Sequence, residues 1–283
     1  MSAFRNFAKS TFVGRILLIP WRLWCSLKVT LKPVVAGLVW VFTSREHYNY
    51  TYNLQPMSLE YLAATLSLVT GKPHAELLGY IREIENDESL KRHITEQTQR
   101  SRERYVADTQ VRFGRRAGWY ALVRALKPAV VVETGVDKGL GSVVLVAALQ
   151  RNQAEGHRGK LIGIDINPKA GYLLQPPYHE PCHMIYADSL ATLASLDTPV
   201  DLFIHDSDHS PEFETKEYEA ITPKLSPHSV VVSDNAAHTN RLLQWAATQG
   251  RDFLYYAEKP SGHWWPGEGI GVALRRSPKA LPS

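Results

Sequence analysis

The sequence predicts an α/β protein: a doubly wound, seven-stranded, mostly parallel sheet with a C-terminal antiparallel hairpin, preceded by an N-terminal helical extension. Three observations predict it. From residue 116 onward, short β-branched runs alternate with helical stretches, the rhythm of a parallel sheet covered by helices on both faces. Residues 131–142 (Val-Val-Glu-Thr-Gly-Val-Asp-Lys-Gly-Leu-Gly-Ser) read as a strand, a glycine turn and a helix start, the first crossover of a nucleotide-type sheet. The last two strand candidates are joined through 258–268 with no helical pattern between them, which makes them a hairpin.

Three segments follow in order. Residues 1–45 are apolar and basic. They carry Arg5, Lys9, Arg15, Arg22, Lys28, Lys32 and Arg45 with no acidic residue, so they hold +7 of a net +4 and the remaining 238 residues sum to −3. A spanning helix needs about 20 uninterrupted apolar residues. Here Arg22, Lys28 and Lys32 interrupt the run, Pro20 and Pro33 divide it, and no clean small-residue cleavage site follows. The segment reads as an interfacial element on a membrane surface, with Lys and Arg snorkelling and Trp21, Trp24 and Trp40 at headgroup depth. That reading makes the protein cytoplasmic and peripheral to the inner face of a membrane. The competing reading is a helical cap on the rest of the chain or on a second subunit, which keeps a homodimer open.

Residues 46–114 read as a helical arm or lid. Ser58 is placed to cap a helix carrying Leu59, Leu62, Leu66 and Val69, ended by Gly71; Leu77, Leu78, Ile81 and Ile84 mark a second helix. The stretch from Glu85 to Arg104 is highly charged and is expected to be solvated. Residues 115–283 form the α/β domain. Trp119, Leu122, Val123 and Leu126 stripe a helix that Pro128 stops. Strands are expected at 129–133, 161–165, 183–187, 201–205, 230–234, 253–257 and 269–275, and helices at 142–150, 189–196, 212–221 and 239–249. The net charge does not indicate a nucleic-acid partner, and two cysteines, Cys25 and Cys182, make neither a disulfide framework nor a metal knuckle.

In such a sheet, ligands bind outside the carboxyl ends of the strands. Five successive strand ends carry an acid: Glu133, Asp165, Asp188, Asp206 and Asp234. Core packing does not predict that. The glycines Gly135, Gly139 and Gly141 are not spaced G-x-G-x-x-G, and a carboxylate at the first strand end repels a pyrophosphate and attracts a sulfonium or ammonium. The cofactor this favours is S-adenosylmethionine (SAM). Glu133 would hold its amino-acid end through a water or a backbone amide, on the loop of Gly135, Gly139, Gly141 and Ser142. Asp165 can accept both ribose hydroxyls; its bland alternative is a cap. Asp188, followed by Ser189, can accept from an adenine amino group, with a helix cap as the alternative.

A second constellation joins Asp201-Leu-Phe-Ile-His-Asp-Ser-Asp-His-Ser210 to Val230-Val-Val-Ser-Asp-Asn235. Neighbouring strands lie about 4.8 Å apart, so Asp206, Asp234 and Asn235 can converge on one hard cation, Mg²⁺ or Mn²⁺ rather than zinc. His205 and His209 raise a zinc or iron reading, but residues one apart on a strand point to opposite faces. A metal-free site in which these groups bond the substrate is the alternative.

On these motifs, residues from about 115 to 276 resemble the class I SAM-dependent methyltransferases, whose sheet is Rossmann-like. Glu-Thr-Gly-Val-Asp-Lys-Gly-Leu-Gly-Ser is similar to that family's glycine motif and Gly-Ile-Asp-Ile-Asn-Pro to its ribose motif. The His-Asp-Ser-Asp-His and Ser-Asp-Asn pair resembles the metal-assisted O-methyltransferases of the catechol, caffeoyl-CoA and macrolide-sugar types. The resemblance implies Asp206, Asp234 and Asn235 as metal ligands. His209 falls where the catechol-type enzymes carry a basic lysine, and the helix between the second and third strands is replaced by the proline-bearing 171–181. The implied reaction is methyl transfer to a hydroxyl of a sugar, a glycolipid or another small molecule, with His209 as base and Asp206 behind it. Trp264 and Trp265 would stack on the acceptor or pack on the N-terminal helices. A metal-independent methyltransferase, a dinucleotide-dependent oxidoreductase and a non-catalytic membrane-surface adaptor are the competing functions.

Overall fold

A computed structural model describes residues 7–47, 50–108 and 110–275. In chain order its helices are α1 (Phe12–Leu17), α2 (Ile19–Thr43), α3 (Pro56–Thr70), α4 (His74–Glu85), α5 (Glu88–Arg100), α6 (Arg116–Leu126), α7 (Leu140–Ala154), α8 (Ser189–Ser195), α9 (Pro211–Ile221) and α10 (Arg241–Thr248). The strands are β1 (Val130–Thr134), β2 (Lys160–Asp165), β3 (Cys182–Tyr186), β4 (Val200–His205), β5 (Leu225–Asp234), β6 (Asp252–Tyr256) and β7 (Ile270–Leu274).

All seven expected strands are present, in one sheet of order β3-β2-β1-β4-β5-β7-β6. The first five are parallel, and β7 runs antiparallel to both β5 and β6. The terminal hairpin therefore does more than extend the edge: its second strand inserts beside β5. Leu193, Tyr218, Ile221 and Trp245 of α8–α10 pack with Val132, Phe203 and Val231 of the sheet. Helix α7 lies on β2 and against α6. No helix forms in 166–181, in line with the prolines there. The chain leaves β1 toward β2 and β3 on one side and returns through β4 and β5 on the other. The carboxyl ends of β1 and β4 therefore flank the switch point, where a crevice opens.

The arm from Arg45 belongs to the same compact unit as the sheet. Leu62 and Leu66 of α3 and Leu77, Ile81 and Ile84 of α4 are fully buried, and both helices pack on α6. Gly71 ends α3 with φ 69°, as the sequence predicts. Ser58 is not a cap: Pro56 occupies the first turn, where a missing N–H costs nothing. The Ser58 hydroxyl instead pairs with Tyr256 Oη (2.6 Å) and accepts from Lys259 N (3.0 Å). The charged stretch is also corrected. Asp87 caps α5 by accepting from Leu90 N (3.0 Å), and α5 buries Leu90, His93, Ile94 and Thr98. Four burying positions at helical spacing suffice to dock a helix that looks solvated by composition. Arg124, buried in α6, pairs with Glu83 (3.2 Å) and Glu155 (2.6 Å) and ties α4, α6 and α7 together.

The chain up to Ser44 and Gly262–Pro266 form a second unit. Here the expected division by proline does not occur. Pro20 sits in the first turn of α2, and α2 runs through Pro33 for 25 residues. Phe12–Thr43 is long and apolar enough to cross a membrane, with a best-window hydropathy of 1.5, and none of that window is buried. Trp264 meets Trp40 edge-on with ring centroids 5.3 Å apart, beside Gly37. The tryptophan loop thus takes the packing alternative for Trp264.

Leu62→Ala would remove a fully buried side chain seated on Gly118. It is expected to cost about 2–5 kcal/mol of unfolding free energy, read as a lowered urea midpoint with an unchanged slope.

Candidate active site

The crevice at the switch point begins where β1 ends. Gly135 holds φ 81°, and a Cβ there would stand 2.0 Å from the Asp206 carbonyl oxygen, so only glycine lets the β1 and β4 ends close up. Asp206 N donates to Thr134 O (3.0 Å) just beyond the last paired residues. The resulting cleft has a volume of about 390 Å³ and is lined by Gly135, Asp137, Ile164, Asp165, Ile166, Ala187, Asp188, Ser189, Asp206, Ser207, Asp208 and Phe213. Five of these are aspartates and none is Lys, Arg or His.

Asp165, at the end of β2, is held by two backbone donors: Asp137 N on Oδ2 (2.8 Å) and Asn167 N on Oδ1 (2.8 Å). Each oxygen keeps a second lone pair for a ligand. Asp188 does cap a helix, accepting from Ala191 N (2.9 Å), and it also lines the cleft. The two readings weighed for it therefore coexist.

Glu133, Gly141 and Ser142 lie outside this lining. Glu133 is 1% exposed and accepts from Ser142 Oγ (2.5 Å). A Cβ on Gly141 would meet its Oε1 at 2.2 Å. Burial, only partly offset by the Ser142 bond, pushes the Glu133 carboxyl up to about 8. It is therefore mainly protonated at neutral pH, and the cleft aspartates carry the negative charge facing a ligand. Gly139 starts α7 with φ 89°.

The second constellation does converge. Asn235 Nδ2 stands 2.9 Å from His209 Nε2, and that nitrogen lies 3.6 Å from Asp206 Oδ1. His205 leaves the face of Asp206, as strand alternation requires: its buried ring meets Glu217 Oε2 at 2.6 Å and lies edge-on behind the His209 ring, centroids 5.2 Å apart. Between Asp234 and Asn235, however, stands an arginine. Arg115 donates from Nε to Asp234 Oδ1 (2.6 Å) and from Nη2 to Asp234 Oδ2 (2.5 Å) and to Asn235 Oδ1; Nη1 reaches Tyr52 Oη (2.9 Å) and Glu258 Oε1 (3.1 Å). Arg116 reaches Asp206 Oδ2 at 3.4 Å and lies over the Trp119 ring. The donors as arranged do not fit a divalent cation, because the oxygens it would need already hold a guanidinium.

The charges follow from this packing. Burial alone would raise Asp234, but the Arg115 guanidinium holds it down to about 2. Asp206 has no such fork; burial and the neighbouring Asp234 charge push it up to about 6. His209 is raised: burial opposes its charge, and the Asp206 carboxylate more than compensates. Asp206 is the one residue shared by the cleft and this cluster.

Sequence reasoning missed Arg115, Arg116, Tyr52 and Glu258. One signal was available. Two arginines stand at the head of the Trp119 helix, where a positive helix end disfavours them, in a domain whose strand ends are crowded with acids.

Residues 132–236 match the family model for a methyltransferase domain. A putative O-methyltransferase from Klebsiella pneumoniae superposes with TM-score 0.51 at 13% identity, over 70% of this chain and 94% of that one. The O-methyltransferase TomG of Streptomyces achromogenes, solved with SAM, gives 0.48 at 16% over 65% and 90%. A Bacillus cereus O-methyltransferase solved with SAH gives 0.46 at 12% over 68% and 92%. No curated protein matches.

Glu133→Gln tests the buried acid. A carboxyl raised to about 8 when folded binds a proton that the unfolded chain, titrating near its ordinary 4.5, has released. Stability should therefore fall as pH rises from about 4.5 to about 8. The neutral variant should match the parent at pH 5 and melt higher at pH 8.5, by at least roughly 2–4 °C, in paired thermal scans.

Proposed function

We infer, from a methyltransferase-like fold whose residues 132–236 match a methyltransferase-domain model, that the chain transfers a methyl group from SAM to a substrate hydroxyl. The observation that carries the cofactor is the lining of the cleft: five aspartates, no basic side chain, at the switch point of the sheet. Such a surface repels the pyrophosphate of a dinucleotide and suits a nucleoside whose charge is positive. Asp165 is the acceptor for the ribose diol, Asp188 and Ser189 meet the adenine end, and the Gly135–Gly139 turn admits the amino-acid end.

SAM, when bound, supplies a methyl carbon already activated by its sulfonium, so the protein's task is positioning and deprotonation. Transfer to a substrate oxygen would leave the demethylated cofactor, and Asp206, with His209 beside it, would take the hydroxyl proton. Asp206 touches the cleft and lies 3.6 Å from His209 Nε2, an electrostatic neighbour beyond hydrogen-bond reach, so Asp206 is the group placed to take the proton. Asp206 titrates near 6, close to operating pH, as a general base requires. No step here runs through a metal ion.

The acceptor is a small molecule, and a lipid-borne hydroxyl such as that of a glycolipid is favoured by α2. At about 100° per residue, Arg22, Lys28 and Lys32 fall within an arc of roughly 120°. Leu23, Leu27, Leu31, Val34 and Leu38 fall on the opposite side and are exposed, while Trp21, Val29 and Val39 share the basic arc. An apolar helix with its basic residues gathered on one side suits contact with an anionic membrane surface.

Three measurements test these readings. Asp165→Ala should weaken SAH binding by at least about 10-fold in calorimetry, the loss of a paired acceptor. Asp206→Asn should lower kcat by roughly 10²–10⁴ while SAH still binds, and should abolish the rise of kcat through about pH 6. Full-length protein should float with vesicles of anionic phospholipid and remain in the dense fraction without residues 1–44; equal flotation of both removes the membrane reading.

A further inference from the structure

The oxygens expected to surround a metal ion surround a protein cation instead, and the details of its housing say that this is a built arrangement. Both Asp234 oxygens are taken by one guanidinium edge, at 2.6 and 2.5 Å, and the Asn235 carbonyl oxygen by the same Nη2. Asn235 holds φ 51°, a left-handed turn conformation that Asn tolerates, and this places its side chain beside Asp234 on the same Nη2. Behind the fork, Nη1 is received by Tyr52 and by Glu258, residues that come from outside β4 and β5. Glu258 Oε1 is itself fixed by Glu268 N (2.8 Å) and Gly269 N (3.0 Å). The Arg115 side chain is 8% exposed, those of Asp234 and Glu258 0%.

We propose that Arg115 is the resident cation of this site, standing in the place a divalent ion would take among Asp206, Asp234 and Asn235, so that the enzyme is metal-independent. Two physical reasons support it. A divalent ion of the magnesium kind requires oxygens at about 2.0–2.1 Å in octahedral array, and here Asp234 and Asn235 turn those oxygens to N–H groups. Second, an arginine guanidinium is always charged, and this one is forked onto Asp234 with Glu258 behind it. An added divalent ion would therefore face a fixed positive charge at the ligand shell. Arg116, 3.4 Å from Asp206, adds to that repulsion. The proposal rests on the methyl-transfer reading only for its kinetic arm.

The test is Mn²⁺ binding by full-length protein, followed by electron paramagnetic resonance without cofactor or acceptor. Wild type should bind no Mn²⁺ below about 1 mM. Arg115→Ala, which frees the Asp234 and Asn235 oxygens beside Asp206, should gain a single Mn²⁺ site at least ~100-fold tighter, and the added substitution Asp234→Asn should remove it. Arg115→Lys keeps a charge and should remain without the site. Circular dichroism and SAH titration of each sample report folding. A wild-type Mn²⁺ site that Asp234→Asn abolishes would overturn the proposal, whether or not the Arg115 variants fold. So would a folded Arg115→Ala that binds no Mn²⁺. In the kinetic arm, wild-type turnover should be unchanged after chelation; a loss restored by Mg²⁺ would overturn it. Failure to bind SAH would sink the methyl-transfer reading and leave the Mn²⁺ result standing.

Discussion

The rim of this sheet concentrates negative charge that the fold must neutralise. Glu133, Asp206 and Asp234 end adjacent or near-adjacent strands β1, β4 and β5, and each is largely removed from water. Three ionised carboxylates cannot share such a space. The molecule resolves the conflict in three ways. Asp234 takes a bidentate guanidinium and stays charged. Glu133 takes a serine hydroxyl and keeps its proton. Asp206 takes a distant arginine and a histidine and is left between the two states. Only the unresolved acid faces the cleft, so the residue with chemistry left to do is the one whose charge the scaffold does not fix. Arg115 and Arg116 enter this rim at the start of α6, against the helix dipole. Removing one partner of a buried pair of this kind costs roughly 3–5 kcal/mol, so the first turn of α6 is a structural hinge of the site as well as an electrostatic one.

How much of this the chain reveals in one dimension depends on the range of the interaction. β1, β2, β4 and β5 are β-branched runs ending in an acid, and both the burial and the chemistry are written locally; all seven strands were legible, and so was the crevice. The opposition of His205 and Asp206 follows from a two-residue period and needs no tertiary knowledge. Arg115 was illegible for the opposite reason. Its partners Tyr52, Asp234 and Glu258 lie 63, 119 and 143 residues away, and nothing in Phe-Gly-Arg-Arg-Ala announces which acids it will meet. The metal expectation was built on oxygens at the neighbouring ends of β4 and β5 and did not include Arg115, which holds those of Asp234 and Asn235.

The misread elements outside the site share a cause. Ser58 satisfies the cap rule, but the preceding Pro56 sets the helix start one turn earlier and releases the hydroxyl for Tyr256. Helix α5 is polar in the mean, while Leu90, His93, Ile94 and Thr98 recur on one face; composition averages away what periodicity keeps. Pro33 breaks one N–H bond of α2, and a long helix with apolar neighbours tolerates that single loss.

On the proposed reading, burial also decides which acids face the cofactor. From sequence, the carboxylate at the end of β1 reads as the anion that draws in a sulfonium. Buried under Gly141 and bonded to Ser142, Glu133 is mostly neutral and shapes the turn instead. The attraction passes to Asp137, Asp165, Asp188 and Asp208, which line the cleft. The acids of this rim therefore divide by burial: Glu133 and Asp234 are closed off by their partners, and Asp206 is the acid that belongs both to that buried cluster and to the cleft lining. A cation entering the cleft lowers the cost of ionising Asp206, so on the proposed reading entry of the methyl donor and readiness of the base would be parts of one electrostatic event.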